Sequence, residues 1–182
     1  MNILITGAAG YIGSSLTPYL QCLSAELNTY DNFYYEQGPL VYKSLLDTNF
    51  KKQDVLDWSD SLIDSIKKAD VIIPLAAIVG APACDKVPDY STNINYRWYE
   101  KLLKHINKET LVIYPNTNSG YGSTGDSLCT EETPSNPLSR YGSDKQKTEE
   151  LLLKNHSKTI VFRLATVFGY SPRPRLDLLI NN

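Results

Sequence analysis

The chain has 182 residues, 42% of them apolar, and a formal net charge of −2. That length suits one domain, the apolar share supplies a buried core, and the near-neutral charge favours neither nucleic acid nor an anionic membrane as partner. Asn2-Ile3-Leu4-Ile5-Thr6 begins with no basic, apolar leader, and no apolar run nears the ~20 residues of a membrane span. Cys22, Cys84 and Cys129 are odd in number and far apart, so neither a disulfide framework nor a metal site is expected. Free thiols in a reducing cytoplasm are the expectation.

Apolar runs predict strands over Asn2–Thr6, Glu26–Asp31, Asp70–Leu75, Leu111–Pro115 and Thr159–Leu164, with a weaker one at Asn49–Gln53. Several are apolar on both faces, as a sheet covered on both sides requires. Between them, helices are predicted over Tyr11–Leu23, Ser59–Lys68, Ser91–His105 and Arg140–Lys154. Leu62, Ile63 and Ile66 have helical spacing in the second of these. Strand-helix alternation predicts an α/β fold, a doubly wound parallel sheet with right-handed crossovers. Pro18 falls inside the first helix, where proline costs about 3 kcal/mol, so a kink or a later helix start is expected.

Gly7-Ala8-Ala9-Gly10-Tyr11-Ile12-Gly13 follows a strand and opens a helix, the setting of a dinucleotide-binding loop. Gly7 would permit the tight turn, Gly10 the approach of a pyrophosphate, and Gly13 the close packing of helix on sheet. The helix N-terminus would add unpaired N–H groups and partial positive charge. Asp31 ends the second strand 18 residues after Gly13, beside Asn32. A carboxylate there can accept hydrogen bonds from the adenosine ribose and would repel a 2′-phosphate, so NAD is favoured over NADP.

Tyr141-Gly142-Ser143-Asp144-Lys145 places a phenol and an ammonium four residues apart, on one face of a helix. A neighbouring cation stabilises phenolate, so Tyr141 is expected to titrate below its usual value near 10 and to serve as a base. A chain with 13 tyrosines carries about one such pair by chance. Order gives it weight: glycine loop, acidic strand end, the hydroxyl-rich strand end Tyr114–Gly122, then the Tyr/Lys pair.

These features together resemble the extended branch of the short-chain dehydrogenase/reductase superfamily, the NAD-dependent epimerase/dehydratase family, whose fold is the Rossmann fold. Thr6 to Gly13 is similar to its nucleotide loop. The resemblance implies that Asp54 and Val55 contact adenine and that Leu75, Ala76 and Ala77 lie beneath the nicotinamide ribose. Asn93 matches a structural asparagine of the following helix. Thr117 takes the place of the catalytic Ser/Thr, Tyr141 that of the base and Lys145 that of its partner. Asn118, Ser119, Thr166 and Arg173 are candidate substrate contacts. The stretches Pro74–Pro82, Pro115–Gly122 and Phe162–Gly169 resemble, more narrowly, GDP-D-glycero-D-manno-heptose dehydrogenases, which oxidise a C4 hydroxyl.

The resemblance implies NAD-dependent oxidation of a nucleotide-sugar hydroxyl at C4 of a hexose or heptose. A 4-epimerase would use the same residues, and a non-catalytic NAD-binding fragment is the alternative of another class. Asn118 and Ser119 stand where 4,6-dehydratases of the family carry an Asp-Glu pair, so dehydration is not expected. Residues 1–169 are expected to form the NAD-binding domain and 170–182 the start of a substrate-binding region that is otherwise missing. A homodimer through the helices 91–105 and 140–154 is implied by the same likeness.

Overall fold

The computed structural model describes residues 1–36, 39–123 and 128–177. Six strands form one sheet: β1 (Asn2–Thr6), β2 (Glu26–Asp31), β3 (Asn49–Lys52), β4 (Val71–Pro74), β5 (Leu111–Thr117) and β6 (Thr159–Leu164). Their order is β3-β2-β1-β4-β5-β6, and every neighbouring pair is parallel. Pairing turns from one side to the other between β1 and β4, which opens a crevice at the C-terminal ends of those strands.

Helices α1 (Gly13–Gln21) and α2 (Pro39–Leu45) cover one face of the sheet, and α3 (Asp60–Lys68), α6 (Trp98–His105) and α7 (Arg140–Asn155) cover the other. The pleat divides β1 between them. Ile3 and Ile5 pack with Leu27, Val41, Leu45 and Ile73, whereas Leu4 joins Leu62, Ile66, Ile72, Leu102, Val112 and Leu152. Helix α3 follows the spacing in its sequence closely. Ser59 caps it by accepting the Leu62 N–H at 3.2 Å, and Lys67 and Lys68 sit at its negative end. Ser139 caps α7 in the same way through Gly142.

Three elements differ from the sequence expectation. The first helix starts at Gly13 rather than Tyr11 and accommodates Pro18 in its interior. Helix α2 carries no strong periodic signal, and its Val41 and Leu45 are buried only because β1 and β2 supply a face for them. The helix expected over Ser91–His105 is instead α5 (Pro88–Thr92), a π-helical turn (Asn93–Arg97) and α6, with α4 (Ala81–Lys86) ahead of them. Pro88 starts a new helix because it cannot donate to a preceding turn. Among the described residues no helix is long and apolar enough to cross a membrane.

Candidate active site

The crevice is a cavity of about 660 Å³. One wall is the glycine loop. Gly7 has φ of +71°, and a Cβ there would lie 2.5 Å from the Ala76 backbone nitrogen. A Cβ on Gly13 would lie 2.4 Å from the Gly7 carbonyl oxygen. Gly13 therefore lets α1 close onto the loop that leaves β1. A Cβ on Gly10 would meet only the Gly7 oxygen, at 3.1 Å, so its remaining space opens at the cavity that the residue lines. Tyr11 and Ile12 line the same wall, and α1 begins without a side-chain cap or a first-turn acid. Its positive end is thus left for an anion.

Asp31 lines the cavity at the end of β2 and is 7% exposed. Its carboxylate accepts the Ala9 N–H at 3.0 Å and the Phe33 N–H at 2.8 Å, which ties the glycine loop to the loop after β2. Asn32 donates to Asp54 at 2.8 Å, and the Tyr90 hydroxyl donates to the same carboxylate oxygen at 2.6 Å. Val55 completes this end. Tyr34 stacks on Tyr90 with centroids 5.7 Å apart, and Arg173 lies 4.6 Å over the Tyr35 ring. These three tyrosines line the cavity and were not singled out in the sequence. Tyr34 and Tyr35 belong to the aromatic run Phe33-Tyr34-Tyr35 directly after Asp31-Asn32, which was their signal, whereas Tyr90 carried none.

Leu75, Ala76 and Ala77, directly after β4, form the floor. Asn93 does not line the cavity, and its side chain accepts from Arg97 at 3.3 Å. The structural role expected of Asn93 is filled by Asn95, a correction of two positions. Asn95 is 1% exposed, accepts the Ile78 N–H at 3.1 Å and donates to the Ile78 carbonyl at 2.9 Å. It fixes the loop after β4, and the π-helical turn swings it inward.

Thr117, Asn118, Ser119, Tyr141, Lys145, Thr166 and Arg173 all line this one cavity. Thr117 ends β5, and its hydroxyl accepts the Ser119 N–H at 3.2 Å, capping a short 3₁₀ turn (Asn118–Tyr121). The segment after β6 returns over the glycine loop. Tyr11 donates to the Gly169 carbonyl at 2.7 Å, and Ser171, 5% exposed, donates to the Tyr11 carbonyl at 2.7 Å. Of the region expected at 170–182, residues 178–182 lie outside the described residues.

The electrostatics overturn one expectation. Tyr141 does not titrate low in this structure: burial pushes it up to about 12, with Cys84 adding to the rise and Arg175 opposing it. Lys145, 3% exposed, is pulled down to about 7 by burial. A lysine that gives up its proton near neutrality is a weak source of field for a phenol. Its nitrogen rests 4.0 Å over the ring of Tyr114, whose hydroxyl donates to the Lys145 carbonyl at 3.2 Å.

The family model of the NAD dependent epimerase/dehydratase family matches residues 3–181. UDP-glucose 4-epimerase of Halalkalibacterium halodurans is 29% identical over 158 residues, covering 83% of this chain and 45% of that protein. Among solved structures, UDP-glucuronic acid 4-epimerase from Bacillus cereus, in complex with UDP-glucuronic acid and NAD, is 30% identical with a TM-score of 0.79. The match covers 97% of this chain and 60% of that one. dTDP-glucose 4,6-dehydratase from Bacillus anthracis, in complex with NAD, is 28% identical with a TM-score of 0.72, over 90% of this chain and 54% of that one. The chain spans about half the length of the curated relatives it matches.

Proposed function

The chain belongs to the NAD dependent epimerase/dehydratase family, and from that premise we propose that it binds NAD and carries the catalytic half of a nucleotide-sugar enzyme acting at C4. The carrying observation is that Thr117, Tyr141 and Lys145 line one cavity with the glycine loop and Asp31. The residues present fit NAD. The uncapped end of α1 and the open side of Gly10 suit a pyrophosphate, and Asp31 suits ribose hydroxyls and opposes a 2′-phosphate. Bound NAD would supply a hydride acceptor that can also return the hydride.

The chain's own residues would manage the proton. Thr117 would hold the reacting sugar oxygen and Tyr141 would take its proton. Lys145 would sit behind the phenolate and hold the nicotinamide ribose. Phenolate and ammonium each favour the charged form of the other, so the two charges would form as a pair even though burial opposes each alone. Asn118 and Ser119 offer no carboxylate to eliminate water, so the product would keep its mass. Oxidation at C4 is common to a dehydrogenase and a 4-epimerase. The 4-epimerases among the relatives favour return of the hydride to the opposite face, whereas the narrower likeness to GDP-heptose dehydrogenases finds no support there. Residues 170–177 would open the substrate side, and the helical stretches 91–105 and 140–154 would form a homodimer contact.

The test is titration of the purified protein with NAD and NADP, then incubation with UDP-glucose and UDP-glucuronic acid and analysis of products by NMR and mass. Tighter binding of NAD with a C4 epimer or a C4 ketone of the sugar supports the proposal. NAD binding without turnover reduces the chain to a binding module. Preference for NADP, or a product lighter by one water, refutes the reading.

A further inference from the structure

A buried carboxylate lies behind the cavity. Glu149 is one helical turn beyond Lys145 on α7, is 3% exposed, and does not line the cavity. Its two oxygens take the Arg163 Nε at 3.1 and 3.2 Å, and Oε1 also takes Arg163 Nη2. Oε2 accepts an N–H of the Asn116 side-chain amide. The other end of that amide, Asn116 Oδ1, accepts the Thr117 backbone N–H at 2.7 Å. Arg163 continues outward from β6, donating to the Tyr121 hydroxyl at 3.0 Å and the Glu131 carbonyl at 3.1 Å, while Tyr121 donates to the Thr130 carbonyl at 3.1 Å. One carboxylate thus ties α7, the ends of β5 and β6, and the loop beyond the 3₁₀ turn.

The chemistry of the relay fixes its direction. A carboxylate beside a guanidinium only accepts, and a backbone N–H only donates. Asn116 must therefore present its NH₂ to Glu149 and its oxygen to Thr117. Aspartate lacks the donor and leucine lacks both groups. A buried ion pair is weak evidence of stabilisation by itself, and its best-attested use is to select one arrangement over others. Here the arrangement selected is the peptide plane that enters Thr117.

We propose that Glu149 is a positioning residue: through Asn116 it sets the backbone of Thr117 and so the place of the Thr117 hydroxyl in the cavity. The catalytic consequence rests on the role proposed above for Thr117; the positioning itself does not. Hydrogen exchange of the Thr117 amide, read by NMR on the ¹⁵N-labelled protein, separates the two. In Asn116→Leu, which leaves the Glu149–Arg163 pair in place, Thr117 exchange rises at least about tenfold, the factor for one lost hydrogen bond of ordinary strength, while Leu4 and Ile5 in β1 stay protected. Glu149→Gln gives a rise of the same sign. In the active protein Glu149→Gln lowers kcat with the affinity for NAD and the KM within about twofold of the parent, since Glu149 lies outside the cavity, whereas Asn116 lines it and is read by exchange alone. Unchanged Thr117 exchange in Asn116→Leu overturns the proposal. So does a rise shared equally by β1, which would mark a stability effect alone. If the parent turns over no nucleotide sugar, the functional reading falls, and Thr117 exchange still decides the positioning.

Discussion

Lys145→Met should make the cofactor-free chain more stable, by an amount that depends on pH. The folded chain holds this lysine at about 7, against 10.5 for the free side chain, because burial disfavours the ammonium. Between these values the unfolded chain binds the proton and the folded chain does not, so stability rises with pH across that window. Below pH 7 the penalty is fully present. Its upper bound is on the order of 5 kcal/mol, taking 1.36 kcal/mol for each pH unit between 7 and 10.5. Methionine removes the penalty and keeps a polarisable contact with the Tyr114 ring. Urea unfolding of both proteins at pH 6.5, 8 and 9.5 should show the variant ahead by several kcal/mol at the lowest pH. The gap should close by about 1.4 kcal/mol per unit above pH 7, the signature of one proton. A gap that does not vary with pH, or a variant less stable at pH 6.5, would refute the reasoning. In turnover the same variant should be slower, so this position would trade stability for function.

Tyr141→Phe keeps the packed ring and removes the hydroxyl; NAD affinity should hold while kcat falls by roughly 10²–10⁴, measured in steady state. Gly13→Ala and Gly10→Ala should separate stability from binding. The first drives a Cβ to 2.4 Å from the Gly7 oxygen and should cost about 1–3 kcal/mol or more in urea unfolding. The second meets that oxygen at 3.1 Å with open space beyond and should mainly weaken NAD binding in a calorimetric titration.

The parallel sheet and the residues that line its crevice were legible in the chain alone. The apolar run Ile3, Leu4 and Ile5 and the spacing of Gly7, Gly10 and Gly13 are patterns along the chain, so they can be read without knowing what they pack against. The order of glycine loop, Asp31, Thr117 and Tyr141-x-x-x-Lys145 then follows from a parallel sheet, which brings the C-terminal ends of β1, β2, β4 and β5 to one edge. The features that the chain alone did not show depend on partners distant along it. Asn95 rather than Asn93 faces inward because a π-helical turn shifts the register by a fraction of a turn. Tyr90 meets Asn32 and Asp54, and Glu149 meets Asn116 and Arg163, across 14 to 58 residues of sequence. The titration of Tyr141 and Lys145 is the sharpest case. Spacing places a cation near a phenol, but burial sets the charge on each, and burial is a property of everything packed around them.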